Sequence, residues 1–314
     1  MNVFLTGGTG FIGSYIAMAL VNEGHHVSIL ARNKDKIPAF HEMDQIDVIQ
    51  GLLGDRDIIQ KQLIDQDICI HVALNYTKDT GYEVLEDDTL PTVWMADMAA
   101  KAGVKQFIYT SSAAVNDCVY MLPPELMEEH IKLVEVRSRR QPVTFYGATK
   151  AASELFLLAK SYESDMRVNI VRPGYTFGNP VIEGAPTQPD TRFHDIVKNI
   201  VKNEPVTVTQ YDGTQFIFGE DLAKLYIEIL KSDVNRKIYF GLSKNFVSWE
   251  TIAKEAARLC GSTSQIIIED KGWDPEVTLF DVKDMKEDFN LEFDPWIHIV
   301  DHIDYYIQLE KKQI

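Results

Sequence analysis

Basic residues are scarce in this chain: 31 Lys and Arg stand against 47 Asp and Glu, a formal net charge of −16 over 314 residues. Such an excess of negative charge repels nucleic acid and anionic membrane surfaces on average, so neither is an expected partner. Cysteine is scarcer still. The three, Cys69, Cys118 and Cys260, are odd in number and far apart, which argues against a disulfide framework or a C-x-x-C metal site and leaves three ordinary thiols. No apolar run reaches the ~18 residues a membrane span needs, and Met1 leads into a strand-like VFLTGG without a basic leader. A soluble, cytoplasmic protein is expected. The histidines show no metal spacing, since His298 and His302, four apart, lie far in sequence from any third ligand. No metal is expected.

What the chain does have is a 45% hydrophobic content, enough for a substantial core. Short apolar runs at Val3–Thr6, Val27–Leu30, Asp47–Ile49, Ile68–Ala73, Phe107–Ser111 and Val168–Arg172 alternate with helix-length segments. Most are too continuously apolar to have a solvated face, so they read as a parallel sheet covered on both sides. Helical spacing marks Gly10–Glu23, Leu90–Ala102 and Phe145–Tyr162. After Arg172, four prolines between 173 and 189 interrupt the pattern until helices near Phe193–Asn203 and Asp221–Lys231 and a strand at Ile238–Leu242. The expected architecture is a Rossmann-type doubly wound α/β domain, residues 1–176 and 217–243, interleaved with a smaller α/β substrate lobe, residues 177–216 and 244–314.

Gly7, Gly10 and Gly13 follow the first strand and open a helix, the context in which glycines let a backbone approach a pyrophosphate and a helix N-terminus offers free N–H donors. A nicotinamide dinucleotide, NAD or NADP, is the expected cofactor. The second strand ends in Leu30-Ala31-Arg32-Asn33, with no carboxylate to repel a 2′-phosphate, and Arg32 favours NADP; an arginine stacked on adenine with NAD bound is the alternative. Asp55, after the third strand, is a candidate for the adenine amine or else a helix N-cap.

Tyr146 and Lys150 stand one helical turn apart in FYGATK. A phenol of pKa about 10 is a poor base at neutral pH, so a neighbouring ammonium that favours the phenolate makes it a usable acid or base. Ser111 and Ser112 end the fifth strand at the edge where such sheets hold ligands, and a serine hydroxyl there can hydrogen-bond a reacting oxygen.

With these segments the chain resembles extended short-chain dehydrogenase/reductases of the NAD-dependent epimerase/dehydratase family. The likeness runs through TGGTGFIG, Gly54-Asp55, His71–Ala73, YTSSAAV, YGATKAASE, RPGYTFG and FDVKDMKEDFNLEFDP. It implies Tyr146 as catalytic acid/base, Lys150 as its partner and ribose ligand, and Ser112 rather than Ser111 as the polarising hydroxyl. It further implies amides of Phe11 and Ile12 on the pyrophosphate, Ala73 beside the cofactor, and Pro173 flanking the nicotinamide. Relatives often dimerise through a four-helix interface, so Leu90–Ala102 and Phe145–Tyr162 could supply a homodimer.

Three departures narrow the expectation. Ala113-Ala114 replace the acid pair of sugar-nucleotide dehydratases; DGTQ runs into Phe216 without the diphosphate-gripping arginine, for which Arg192 or Lys244 could substitute; and Asp88 stands where the family usually has asparagine. A clamp of that kind is worth roughly 1.5–3 kcal/mol. The segment Tyr120–Arg140 is either a lid or a solvated charged helix, His71 is an acid/base candidate whose place inside a strand favours a packing role, and Trp249, Trp273 and Trp296 line a pocket or fill the small core. The functional readings are an epimerase of a sugar nucleotide or related small molecule, an NADP-dependent carbonyl reductase or dehydrogenase, and a non-catalytic dinucleotide sensor, which would be expected to lose the tyrosine or lysine that this chain keeps.

Overall fold

A computed structural model describes residues 1–75, 80–119 and 132–312. Seven strands form the main sheet: β1 (Asn2–Thr6), β2 (His26–Ala31), β3 (Ile46–Gln50), β4 (Ile68–His71), β5 (Gln106–Thr110), β6 (Arg167–Pro173) and β7 (Ile238–Gly241). All neighbours pair in parallel, in the order β7-β6-β5-β4-β1-β2-β3. The apolar continuity that marked these strands has its physical counterpart in burial on both faces: Phe4, Leu5, Ile29, Ile70, Phe107 and Ile108 are 0% exposed. Each such side chain contributes about 1.5–3 kcal/mol on leaving water.

One face is covered by α1 (Phe11–Asn22) together with the later helix Gly219–Lys231, and the other by α2 (Arg56–Gln62), α3 (Leu90–Lys101) and α4 (Phe145–Glu163). The order reverses between β1 and β4, so the glycine turn after β1 and the end of β4 border the crevice where doubly wound sheets hold ligands. β4 stops at His71, two residues before the expected Ala73, because the Ala73 N–H turns toward Thr6 Oγ1 (3.2 Å) instead of the ladder.

A second core gathers Phe177, Phe193, Ile196, Phe216, Trp249, Ile252, Ile299 and Ile303. It is built from α5 (Arg192–Val201), α7 (Trp249–Cys260) and α9 (Trp296–Lys311), with Phe218 at its margin, whereas α6 (Gly219–Lys231) and α8 (Lys283–Phe289) pack on the main core. Of the tryptophans at 249, 273 and 296, Trp249 is core, Trp273 is 47% exposed, and Trp296 lines a groove of about 610 Å³ with Tyr211 and Phe246.

Residues 120–131 of the anticipated lid lie outside the described residues. Its described remainder is not helical: Leu133–Val134 is a short strand paired in parallel with Leu279–Phe280, followed by a turn at Glu135–Ser138. Leu133 and Val134 stand side by side between Lys132 and Glu135, and the backbone there is satisfied by the neighbouring strand, with the Leu279 and Asp281 N–H groups donating to Lys132 O and Val134 O. Cys69 and Cys260 are free thiols, and among the described residues no helix is long and apolar enough to cross a membrane and no acidic, histidine or cysteine group could hold a metal.

Candidate active site

The turn between β1 and α1 is shaped by the absence of side chains. Gly7 has φ +76°, and a Cβ on it would lie 2.6 Å from the Ala73 nitrogen; a Cβ on Gly13 would lie 2.0 Å from the Gly7 carbonyl oxygen. The Gly10 N–H donates to Gly7 O (2.8 Å), and Gly10 caps α1 without any side chain. The first-turn N–H groups of Phe11 and Ile12 are therefore left at a helix N-terminus that carries no acid, which is a cradle for an anion. Ala73 flanks Gly7 at the end of β4, and Pro173 ends β6, paired with Gly241.

Arg32 follows β2 and is exposed; four residues on, Lys36 is pushed below the ordinary lysine range by partial desolvation and then by the positive charge of Arg32. Neither makes an ion pair with a described residue. Asp55 occupies the N-cap position of α2, yet its carboxylate makes no cap bond and accepts the Leu52 N–H at 2.7 Å.

On the other side of the crevice, Thr144 caps α4 by accepting the Gly147 N–H (3.1 Å), which starts the helix so that Tyr146 and Lys150 share a face. Gly147 docks directly on the β5 loop, for a Cβ there would lie 2.5 Å from Ala114 O. Tyr146 is half-buried, whereas Lys150 is 2% exposed, donates to Thr110 O (3.3 Å) and lies 5.0 Å from the centre of the Tyr109 ring. Burial pushes the Lys150 ammonium down from its ordinary range, and the carboxylates of Asp88 and then Glu154 push back.

The two serines part company. Ser111 Oγ donates to Glu154 Oε1 (2.6 Å), while Ser112 Oγ accepts the Ala114 N–H (3.1 Å) and keeps its own proton for another partner. Glu154 also receives Arg172 Nε and Nη2, both at 2.7 Å, and Arg140 Nε at 2.8 Å. Burial alone would raise the Glu154 carboxyl, but the Arg172 guanidinium, Ser111 and Arg140 hold it below the usual carboxylate range. Arg172 is itself 0% exposed and donates to Val136 O (3.1 Å), which ties the 132–140 segment to the floor of the site.

His71 spans the crevice floor, hydrogen-bonded to Thr6 Oγ1 (2.6 Å) and Thr92 Oγ1 (2.8 Å). Burial, with the nearby Lys150 charge, lowers its pKa to about 3, so it is a neutral packing group as its place in an apolar strand suggested. Glu154, Arg172 and Gly147 were passed over as individual residues in the sequence. A signal existed: a lone arginine inside the apolar run of β6 requires a buried counter-charge, and Glu154 lies four residues after Lys150 on the same helix face.

Residues 3–240 match the profile of the NAD dependent epimerase/dehydratase family. The chain belongs to that family. Among sequence relatives, UDP-arabinose 4-epimerase 1 of Arabidopsis thaliana is 26% identical over 267 residues, 76% of this chain and 61% of that protein. The 3 beta-hydroxysteroid dehydrogenase/Delta 5-->4-isomerase of Mycobacterium tuberculosis is 26% identical over 208 residues, 64% of this chain and 52% of that protein. The chain thus spans between half and two thirds of the length of these relatives. The fold of UDP-glucuronic acid 4-epimerase from Bacillus cereus, solved in complex with NAD, superposes with a TM-score of 0.80 over 99% of this chain and 100% of that one, at 19% identity. In this epimerase/dehydratase family member the glycine turn, His71–Ala73, Ser111-Ser112 and Pro173 all lie at or directly after the carboxyl ends of β1, β4, β5 and β6.

Proposed function

We propose that the chain is a nicotinamide-dependent enzyme that moves a hydride to or from a carbon bearing a hydroxyl or carbonyl, on a sugar nucleotide or a related small molecule. The observation that carries this reading is a buried lysine one helical turn after a half-buried tyrosine, beside a serine with an uncommitted proton and across from a side-chain-free glycine turn. The amides of Phe11 and Ile12, with Gly7, Gly10 and Gly13, would hold the pyrophosphate, Asp55 the adenine amine, and Lys150 the nicotinamide ribose, with Ala73 and Pro173 alongside. Bound NAD or NADP supplies the hydride acceptor or donor. Tyr146 exchanges a proton with the reacting oxygen, Lys150 favours its phenolate, and Ser112 hydrogen-bonds that same oxygen. The substrate would lie between the sheet edge and the lobe of residues 177–216 and 244–314, a division supported by the separate aromatic core.

The preference for NADP rests on Arg32 and Lys36, two exposed cations after β2 that form no ion pair with a described residue and suit a 2′-phosphate. A second reading, reduction of a carbonyl compound without a diphosphate, is favoured by Gln215. Its amide donates to Ser243 O (2.9 Å) and Phe280 O (3.1 Å) and accepts the Phe280 N–H (2.6 Å), so it serves as a tie between strands and offers no charge to a phosphate. The two cations that could replace the missing arginine are engaged, Arg192 with Asp212 and Lys244 with Glu292, each at 3.3 Å. We further propose a homodimer through α3 and α4, where Leu90, Leu155, Phe156 and Tyr162 are 52–75% exposed.

The test incubates the protein with NAD or NADP and a panel of UDP-sugars, read by epimerised or oxidised sugar product, and with NADPH or NADH and simple carbonyl compounds, read by cofactor oxidation, with Tyr146→Phe run in parallel. The reading predicts turnover that falls roughly 10²–10⁴-fold in the variant; undiminished turnover would remove it.

A further inference from the structure

Lys150 is a buried cation, and its hydrogen bonds do not neutralise it. It donates to one carbonyl at 3.3 Å and faces one aromatic ring. The titratable groups around it come from four elements: Glu154 and Tyr146 from α4, Tyr109 from β5, His71 from β4, and Asp88 from the five-residue π-turn Leu85–Thr89 that precedes α3. His71 is neutral, and burial holds the Tyr109 phenol far above its ordinary value. Two carboxylates remain.

Glu154 is already over-compensated. Its two oxygens take four hydrogen bonds, three of them from the guanidinium groups of Arg172 and Arg140, so that cluster carries an excess positive charge before Lys150 is counted. Asp88 is the reverse. It is 0% exposed, and its carboxylate accepts only the Asn75 N–H at 3.3 Å and the Thr149 hydroxyl at 3.2 Å among the described residues, both neutral and both long. No described Arg, Lys or His forms an ion pair with it. A buried carboxylate with two weak neutral donors is far from satisfied, and its Thr149 donor is the residue immediately before Lys150 on α4. The extra residue of the π-turn sets this position, and the turn is pinned from behind: Thr92 Oγ1 donates to Asp88 O (2.7 Å) and meets His71, which meets Thr6 of β1.

We infer that Asp88 is the counter-ion of Lys150, a positioning residue that keeps the ammonium charged and aimed into the crevice while Glu154 is spent on its two arginines. The inference rests on the proposed role of Lys150, yet the pairing itself is independent of any turnover. Asp88 acts on the reaction through Lys150 and touches no substrate.

A double-mutant cycle tests it. Asp88→Asn, Lys150→Met and the double variant are compared by urea unfolding, with Glu154→Gln and its combination with Lys150→Met as the control cycle. The expected result is that Asp88→Asn lowers the folding equilibrium constant in the wild-type background and raises it tenfold or more in the Lys150→Met background, because only there is the carboxylate stranded, while Glu154→Gln lowers it in both. A double variant no more stable than Lys150→Met overturns the pairing, and this comparison stands even where Asp88→Asn alone does not fold. A second readout is the ¹³Cε resonance of Lys150 in lysine-labelled full-length protein, assigned by its loss in Lys150→Met. Its titration midpoint should drop by at least one pH unit in Asp88→Asn, and an unchanged midpoint overturns the inference. Loss of every measured turnover would count against the enzymatic reading alone, since neither readout uses substrate.

Discussion

At the scale of single residues the site depends on buried charge held by dense hydrogen bonding. Glu154 and Arg172 are both fully buried and bonded bidentately, so deleting one leaves the other uncompensated. Glu154→Ala is expected to destabilise the protein by about 3–5 kcal/mol in urea unfolding, and a loss under ~1 kcal/mol would show that the pair is not the anchor described. The buried histidines give a pH signature. His71 and His302 each have a folded pKa of about 3 against 6.5 unfolded, both from burial. Below pH 6.5 the unfolded chain takes up protons that the folded chain refuses, so stability falls as the pH drops from about 6.5 toward 3, by up to about 1.4 kcal/mol per pH unit for each histidine. A Tm that is flat between pH 6.5 and 5 would contradict this. His302 sits between Asn179 Oδ1 (2.7 Å) and Gln188 Nε2 (2.9 Å), so a His302→Gln variant should flatten part of the slope.

At the scale of elements, two close approaches place the site. α1 meets the β1 turn through Gly13, and α4 meets the β5 loop through Gly147. Gly13→Ala would put a methyl carbon 2.0 Å from a backbone oxygen that has no room to yield, so nucleotide binding should be lost with a drop in Tm, measurable by titration and by calorimetry. Gly147→Ala should spare nucleotide binding more than Gly13→Ala does, because its clash lies at the catalytic helix, and it should reduce turnover first. The strands and long helices were legible in the sequence because a parallel sheet buried on both faces leaves unbroken apolar runs, and the glycine turn because its spacing and context carry a mechanism. The strand at Leu133–Val134 was not, since two residues paired with the distant Leu279–Phe280 leave no period to read. The pairing within the Glu154, Arg172, Arg140 and Asp88 group was less legible: its members come from four segments, and only the fold reveals that Glu154 is hydrogen-bonded to two arginines while Asp88 receives only neutral donors among the described residues.

At the scale of the whole molecule, the chain pairs a doubly wound domain with an aromatic second core, and α4 exposes Phe145, Leu155, Phe156 and Tyr162, with Leu90 exposed at the start of α3. Phe156→Glu, with Leu155→Lys, is expected to convert a dimer to a monomer in sedimentation, with little change in the unfolding of the monomer; a wild-type monomer at all concentrations would dismiss the interface. The central claim is that the crevice at the sheet edge holds a nicotinamide dinucleotide over Tyr146 and Lys150. The direct measurement is to denature the purified protein and identify any released nucleotide by mass, while titrating emptied wild-type and Gly13→Val protein with NADPH and NADH. The account predicts that the wild type carries or reversibly binds a nicotinamide dinucleotide, with NADPH preferred through Arg32 and Lys36, and that the variant binds neither. A folded wild-type protein that neither carries nor binds one would contradict it.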